Sequence, residues 1–169
     1  MPHVEILFGS KSDLKFLKGA PELTQQLEEA GISFAVSVCS AHRNAKELGE
    51  RIDQTIDTTA VYICAAGMAA ALPGAVKALL LGRSLATVIG IALPSDAYPD
   101  GQDAEISIKR LPPGIDVVYG GVGMQAIDTI GDTVVALATQ YKPNPDSEEL
   151  EAIRANIKPP QFDINLEEM

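Results

Sequence analysis

Five short apolar runs, VEILF (4–8), FAVSV (34–38), VYICAA (61–66), TVIGIA (87–92) and DVVYG (116–120), recur along the chain, each followed by a stretch long enough for a helix. Runs this short and this apolar read as strands buried on both faces. Such strands must be covered on both sides, and a strand–helix alternation achieves this through right-handed crossovers. The expected fold class is therefore α/β, a doubly wound five-stranded parallel sheet between two helical layers.

The intervening segments support this. Leu14, Leu17, Leu23 and Leu27 recur at helical spacing, Pro21 predicts a kink or restart between them, and Gly31 is placed to end the helix. NAKELGERIDQTI reads as the second helix, and an Ala/Leu-rich segment through Leu81 as the third. A short helix ends at Arg110, and GMQAIDTIGDTVVALATQ reads as one continuous helix. After the turn-rich YKPNPD, the segment SEELEAIRANI forms a final helix capped by Ser147. The expected organisation is one α/β domain over 1–141, then a linker and C-terminal helix and tail over 142–169. From its position beyond the linker, that last helix is expected against a neighbouring subunit.

Composition narrows the class. Hydrophobic residues make up 46% and there is no Trp, so the core must come from Ala, Val, Leu and Ile. The formal net charge of −10 repels polyphosphate backbones, which argues against nucleic acid as a partner. A small anion remains compatible, because local N–H groups and one Arg outweigh a distant field. No apolar run reaches a membrane span, and the N-terminus lacks a signal pattern. Cys39 and Cys64 lack CxxC spacing and read as core residues, and with two distant histidines they predict no metal site. The expectation is a reduced, cytoplasmic, metal-free protein, with His3 as a surface residue lacking partners.

The unusual polar residues fall where strands end, which is where ligands bind in such sheets. GSKSD follows the first strand and offers Ser10, Ser12 and Asp13 at a helix N-terminus, a setting that suits phosphate or plain capping. SAHR follows the second, bringing Ser40, Ala41, His42 and Arg43 together. Imidazole is the side chain suited to proton transfer near neutrality, and guanidinium suits phosphate. A cation in a first helical turn opposes the helix dipole, which favours function over capping there. AAGMAAALPG follows the third strand, is small and apolar, and includes Ala66, Gly67, Met68 and Leu72. LPSDAYPDGQD follows the fourth and offers Ser95, Asp96 and Tyr98 within a rigid turn-rich loop. Four successive loops would line one crevice.

With GSKSD and SAHR in this order, AAGMAAALPG third and RLPPGIDV before the last strand, the chain from Glu5 to Ala138 resembles the N5-carboxyaminoimidazole ribonucleotide mutases and aminoimidazole ribonucleotide carboxylases of purine biosynthesis. The resemblance implies a flavodoxin-like three-layer sandwich, a homo-octamer, and no metal or organic cofactor. It implies that Ser10, Ser12, Asp13 and Arg43 hold ribose and phosphate, and that Ser40 and His42 flank the aminoimidazole ring beside Ala41. It further implies that Ala66, Gly67, Met68 and Leu72 close over the carboxylate or carbon dioxide. One position departs from the mutase pattern, which has His where this chain has Ala71, and the PSD of the fourth loop leans to the carboxylases. SAHR and ALPG lean to the mutases. The mutase is the primary reading, with direct carboxylation by carbon dioxide, or a divergent nucleotide-binding relative without either activity, as the alternatives.

Overall fold

The computed structural model describes residues 2–160. Five strands, β1 (His3–Phe8), β2 (Ser33–Val38), β3 (Thr59–Ala66), β4 (Thr87–Ala92) and β5 (Val118–Val122), form one all-parallel sheet in the order β2-β1-β3-β4-β5. Helices α1 (Leu14–Lys18), α2 (Pro21–Glu29), α6 (Gly123–Thr129) and α7 (Gly131–Gln140) cover one face. Helices α3 (Ala45–Thr55), α4 (Leu72–Leu80) and α5 (Gln102–Lys109) cover the other, and α8 (Glu148–Asn156) follows. This is the flavodoxin-like three-layer α/β/α sandwich.

Strand alternation builds two cores from one sheet. Val4, Ile6 and Phe8, with Val61, Ile63, Ala65, Ile89 and Ile91, face the α2 and α7 side. Leu7, Tyr62, Cys64, Val88 and Ala92 face the α3 and α4 side. All eight residues of β3 are buried, as a central strand covered on both faces requires.

The expected elements form, with two informative differences. Pro21 does begin a new helix, because at the first helical position it sacrifices no hydrogen bond. The stretch read as one helix after β5 is two, joined at Ile130, and Gly131 lies flush against Gln26 of α2. The last strand starts two residues later than expected and runs through both glycines. Its pairing with β4 begins at Ile89↔Val118, and the register shift between Gly90 and Ile91 leaves Gly120 as the extra residue, next to Gly121, whose φ of +111° only glycine adopts easily.

Helix α8 starts with Ser147 accepting a hydrogen bond from the Leu150 N–H at 3.3 Å. It docks on its own chain through buried Leu150, with Arg154 donating to the Gly82 carbonyl at 2.7 Å and to the Pro145 carbonyl at 2.8 Å. Residues 161–169 of the expected tail lie outside the described residues. Among the described residues, no helix is long and apolar enough to cross a membrane.

His3 is not the partnerless residue expected. It sits at the amino end of the sheet, bonded to Ser33 Oγ at 3.0 Å and to Glu5 Oε1 at 2.9 Å. Glu5 is fully buried, and Arg51 of α3 grips both carboxylate oxygens, at 3.1 and 2.7 Å. Removing one partner of a buried pair strands the other charge. Arg51→Ala should therefore lower unfolding free energy by about 3 kcal/mol, the low end for such losses because the guanidinium is about one-third exposed. Arg51→Lys should recover only part, since an ammonium cannot span both oxygens. Urea denaturation of the three proteins measures both effects.

Candidate active site

The order β2-β1-β3 means that the chain leaves β1 toward one neighbour and reaches the other only later. Loops after β1 and β3 therefore depart to opposite faces and open a crevice at the carboxyl end. Backbone bonds beyond the strands keep the loop bases side by side: Cys39 N–H to the Phe8 carbonyl (2.8 Å), Gly9 N–H to Ala65 (3.1 Å), and Leu93 N–H to Ala66 (3.0 Å). At Gly9 a Cβ would sit 3.2 Å from the Ala66 Cβ, so a glycine lets the first and third loops approach.

The resulting crevice, about 1090 Å³, is lined by all four loops. It brings together Ser10, Ser12, Asp13, Ser40, Ala41, His42, Arg43, Ala66, Gly67, Met68 and Leu72, with Ser95 and Asp96 of the fourth loop, whereas Tyr98 does not line it. Ser10 and Ser12 hydrogen-bond to each other at 3.0 Å, and neither they nor Asp13 caps a helix through its side chain. The capping explanation for this loop is therefore removed.

The second loop differs from expectation. Residues 41–43 form a turn, and α3 starts only at Ala45, so His42 and Arg43 do not stand in a first helical turn and oppose no dipole. Ser40 shapes the turn, its Oγ accepting from the Arg43 N–H at 3.3 Å. The Arg43 side chain reaches back to donate to the Gly9 carbonyl at 3.3 Å, tying the second loop to the first. This contact leaves other guanidinium N–H groups for an anion.

The third loop supplies a wall of small groups. Ala69 has φ +46°, a left-handed backbone that costs an L-residue about 1–2 kcal/mol. Its N–H donates to Asp103 Oδ2 at the start of α5. Leu72 is buried and Met68 exposed. Ala71 contributes a methyl where an imidazole would extend further, so His42 is the one imidazole among the crevice-lining residues. In the fourth loop Ser95 Oγ accepts from the Tyr98 N–H at 3.1 Å, and Pro94, Ser95, Asp96, Ala97 and Pro99 form the remaining wall.

Sequence reasoning missed Lys15, Phe16 and Ala69 as lining residues, and Asp103 behind them. Lys15 had a readable signal, since it lies three residues after Ser12, one helical turn on. Asp103 had none, because its partner is 34 residues away. Lys15 and Arg43 put two cations in the crevice lining, beside the carboxylates of Asp13 and Asp96.

Burial pushes the Asp13 carboxyl above its ordinary value, against the opposing pull of Lys15, a backbone hydrogen bond at Ser10, and Arg43. Burial, and then Glu47, raises the Cys39 thiol. Complete burial drives the Cys64 thiol far above the usual range. Both thiols therefore stay protonated, and neither is a nucleophile.

Comparison with known proteins gives concordant matches. The family described as AIR carboxylase matches residues 3–155. A Methanocaldococcus jannaschii protein named N5-carboxyaminoimidazole ribonucleotide mutase is 44% identical over 117 residues, covering 69% of this chain and 68% of its own. A Saccharolobus solfataricus protein of the same name is 35% identical, covering 84% of this chain and 89% of its own. The crystal structure of Treponema denticola PurE superposes with a TM-score of 0.61 at 28% identity, over 80% of this chain and 85% of that one.

The raised Asp13 carboxyl gives a testable trade-off. A carboxyl that is harder to ionise when folded adds stability below its unfolded pKa and loses it as pH rises through the folded value. At neutral pH ionised Asp13 therefore destabilises the fold. Asp13→Asn should raise the melting temperature at pH 7, and the gain should vanish below about pH 3.8. Thermal melts across pH test this, and the same variant should bind nucleotide more weakly.

Proposed function

The chain belongs to the AIR carboxylase family, and on that premise we propose that its crevice converts N5-carboxyaminoimidazole ribonucleotide to 4-carboxyaminoimidazole ribonucleotide in purine biosynthesis. The observation that supports this most directly is the convergence of a hydroxyl pair, a carboxylate, a guanidinium and a single imidazole on one small-walled crevice at the sheet's switch point. Relatives bearing the mutase name, at 44% and 35% identity, favour moving an existing carboxylate over direct fixation of carbon dioxide.

Each loop has one task in this reading. Ser10, Ser12 and Asp13 accept and orient the ribose and phosphate, with Arg43 neutralising phosphate charge. Ser40 fixes the turn that presents His42 beside the imidazole ring, and Ala41 packs at its edge. Ala66, Gly67, Met68 and Leu72 enclose the migrating carboxylate. The N5–carbon bond breaks, leaving carbon dioxide and an amine that takes up one proton. C4 then attacks the carbon dioxide, and the new C4 carries both a hydrogen and a carboxylate. His42 removes that C4 proton to restore aromaticity and supplies the proton that the amine takes. One proton passes from C4 to nitrogen and one carbon dioxide passes the other way, so the reaction is a balanced isomerisation. Small apolar walls keep the carbon dioxide near C4, where its effective concentration is high.

The same reading makes residues 1–141 the catalytic domain and 142–169 a linker, helix and tail. It also makes the protein a cytoplasmic homo-octamer. Exposed apolar residues such as Val36 and Val38 on the edge strand β2 suit burial between subunits.

His42→Asn should abolish turnover while nucleotide affinity stays within about tenfold, because proton transfer is lost and binding is not. Arg43→Ala should weaken binding instead. The deciding assay incubates purified protein with freshly made carbamate, and separately with aminoimidazole ribonucleotide plus bicarbonate. Fast formation of the C4-carboxylated product from the carbamate alone supports the mutase. Efficient product formation at modest bicarbonate would replace it with the direct carboxylase.

A further inference from the structure

Ala69 is the only described non-glycine residue with positive φ, and it stands in the crevice wall. Its neighbours hold the loop at both ends. Gly67 backs onto the Leu93 carbonyl, where a Cβ would come within 3.3 Å, and Ala70 and Leu72 are buried. Ala69 itself is exposed, so packing does not enforce its backbone. The contact it does make is the N–H donated to Asp103 Oδ2.

Asp103 is built to stay in place. It lies in the first turn of α5, where a carboxylate is favoured by the helix dipole. Its own carbonyl accepts from Ser107 Oγ at 2.9 Å, and Ala104 and Ile108 anchor α5 in the core. Asp103 does not line the crevice.

We propose that Asp103 is a positioning residue for the reaction: its carboxylate clamps the Ala69 N–H, holding the third loop in a left-handed turn that closes the wall around the migrating carbon dioxide. This rests on the mutase reading above. Without the clamp, Ala69 relaxes toward negative φ, since left-handed backbone is unfavourable for alanine. The wall then opens, while the nucleotide contacts on the first two loops stay intact.

The test compares wild type with Asp103→Ala, Asp103→Asn and the double variant Asp103→Ala/Ala69→Gly. Turnover of the carbamate, the fraction of its carbon released as free carbon dioxide, and hydrogen exchange at the Ala69 amide are measured for each. Asp103→Ala should lower kcat at least tenfold with KM changed less than threefold, release more free carbon dioxide, and speed Ala69 exchange at least tenfold. Asp103→Asn keeps an acceptor oxygen and should resemble wild type. The double variant should recover most of the lost kcat, because glycine takes left-handed backbone without the clamp.

Wild-type kcat and carbon dioxide retention in Asp103→Ala would overturn the proposal, as would failure of Ala69→Gly to restore a lost kcat. If Asp103→Ala does not fold, an unprotected Ala69 amide in wild type overturns it equally, and a protected one that Asp103→Asn preserves supports it. If wild type leaves the carbamate unconverted, the mutase reading fails, and the exchange contrast still decides whether Asp103 clamps the loop.

Discussion

The reversal of strand order at β1 is the constraint on which the rest of the structure depends. β1 pairs with β2 on one side and β3 on the other, in register over their whole lengths apart from one shift at His3/Val4. Because every crossover is right-handed, the helices after β1 and β3 must leave toward opposite faces. Their first residues cannot fill the space above the strand ends, and the gap is the crevice. Nothing in the loops has to create the pocket. They only have to furnish it.

That division explains where polar and strained groups occur. The sheet interior is mostly apolar, and the one buried carboxylate among the described residues, Glu5, is held at the amino end by Arg51 and His3. At the carboxyl end the compromises accumulate: Asp13 is partly buried against its ionised form, and Ala69 is held in left-handed backbone. Each is unfavourable for folding alone. Together they mark the end of the sheet where local stability yields to the shape of the crevice, supported by a core that can bear the loss.

The sheet, its covering helices and the four loops were legible because each rests on local pattern. Apolar runs fix the strands, Pro21 and Ser147 fix helix starts, and the loops follow automatically. What was illegible depends on distant contacts. His3 finds Glu5 and Ser33 only once β1 and β2 are paired. The close approach of Gly131 to Gln26 exists only once α2 and α7 are packed together. Residues 41–43 form a turn and α3 starts at Ala45, within one residue of where periodicity puts it, so the dipole argument for His42 and Arg43 does not apply.

On the mutase reading, Ala71 leaves the proton transfer to one imidazole. The resemblance anticipates a histidine there, and the crevice instead has a methyl, with one imidazole left on the second loop. A reaction that only transfers one proton from C4 to nitrogen needs a single group able to give and receive it, provided that the carbon dioxide does not escape meanwhile. The burden then shifts from a second proton carrier to the wall itself. Closure of the third loop, fixed by a left-handed residue and a distant carboxylate, becomes the feature on which the chemistry turns.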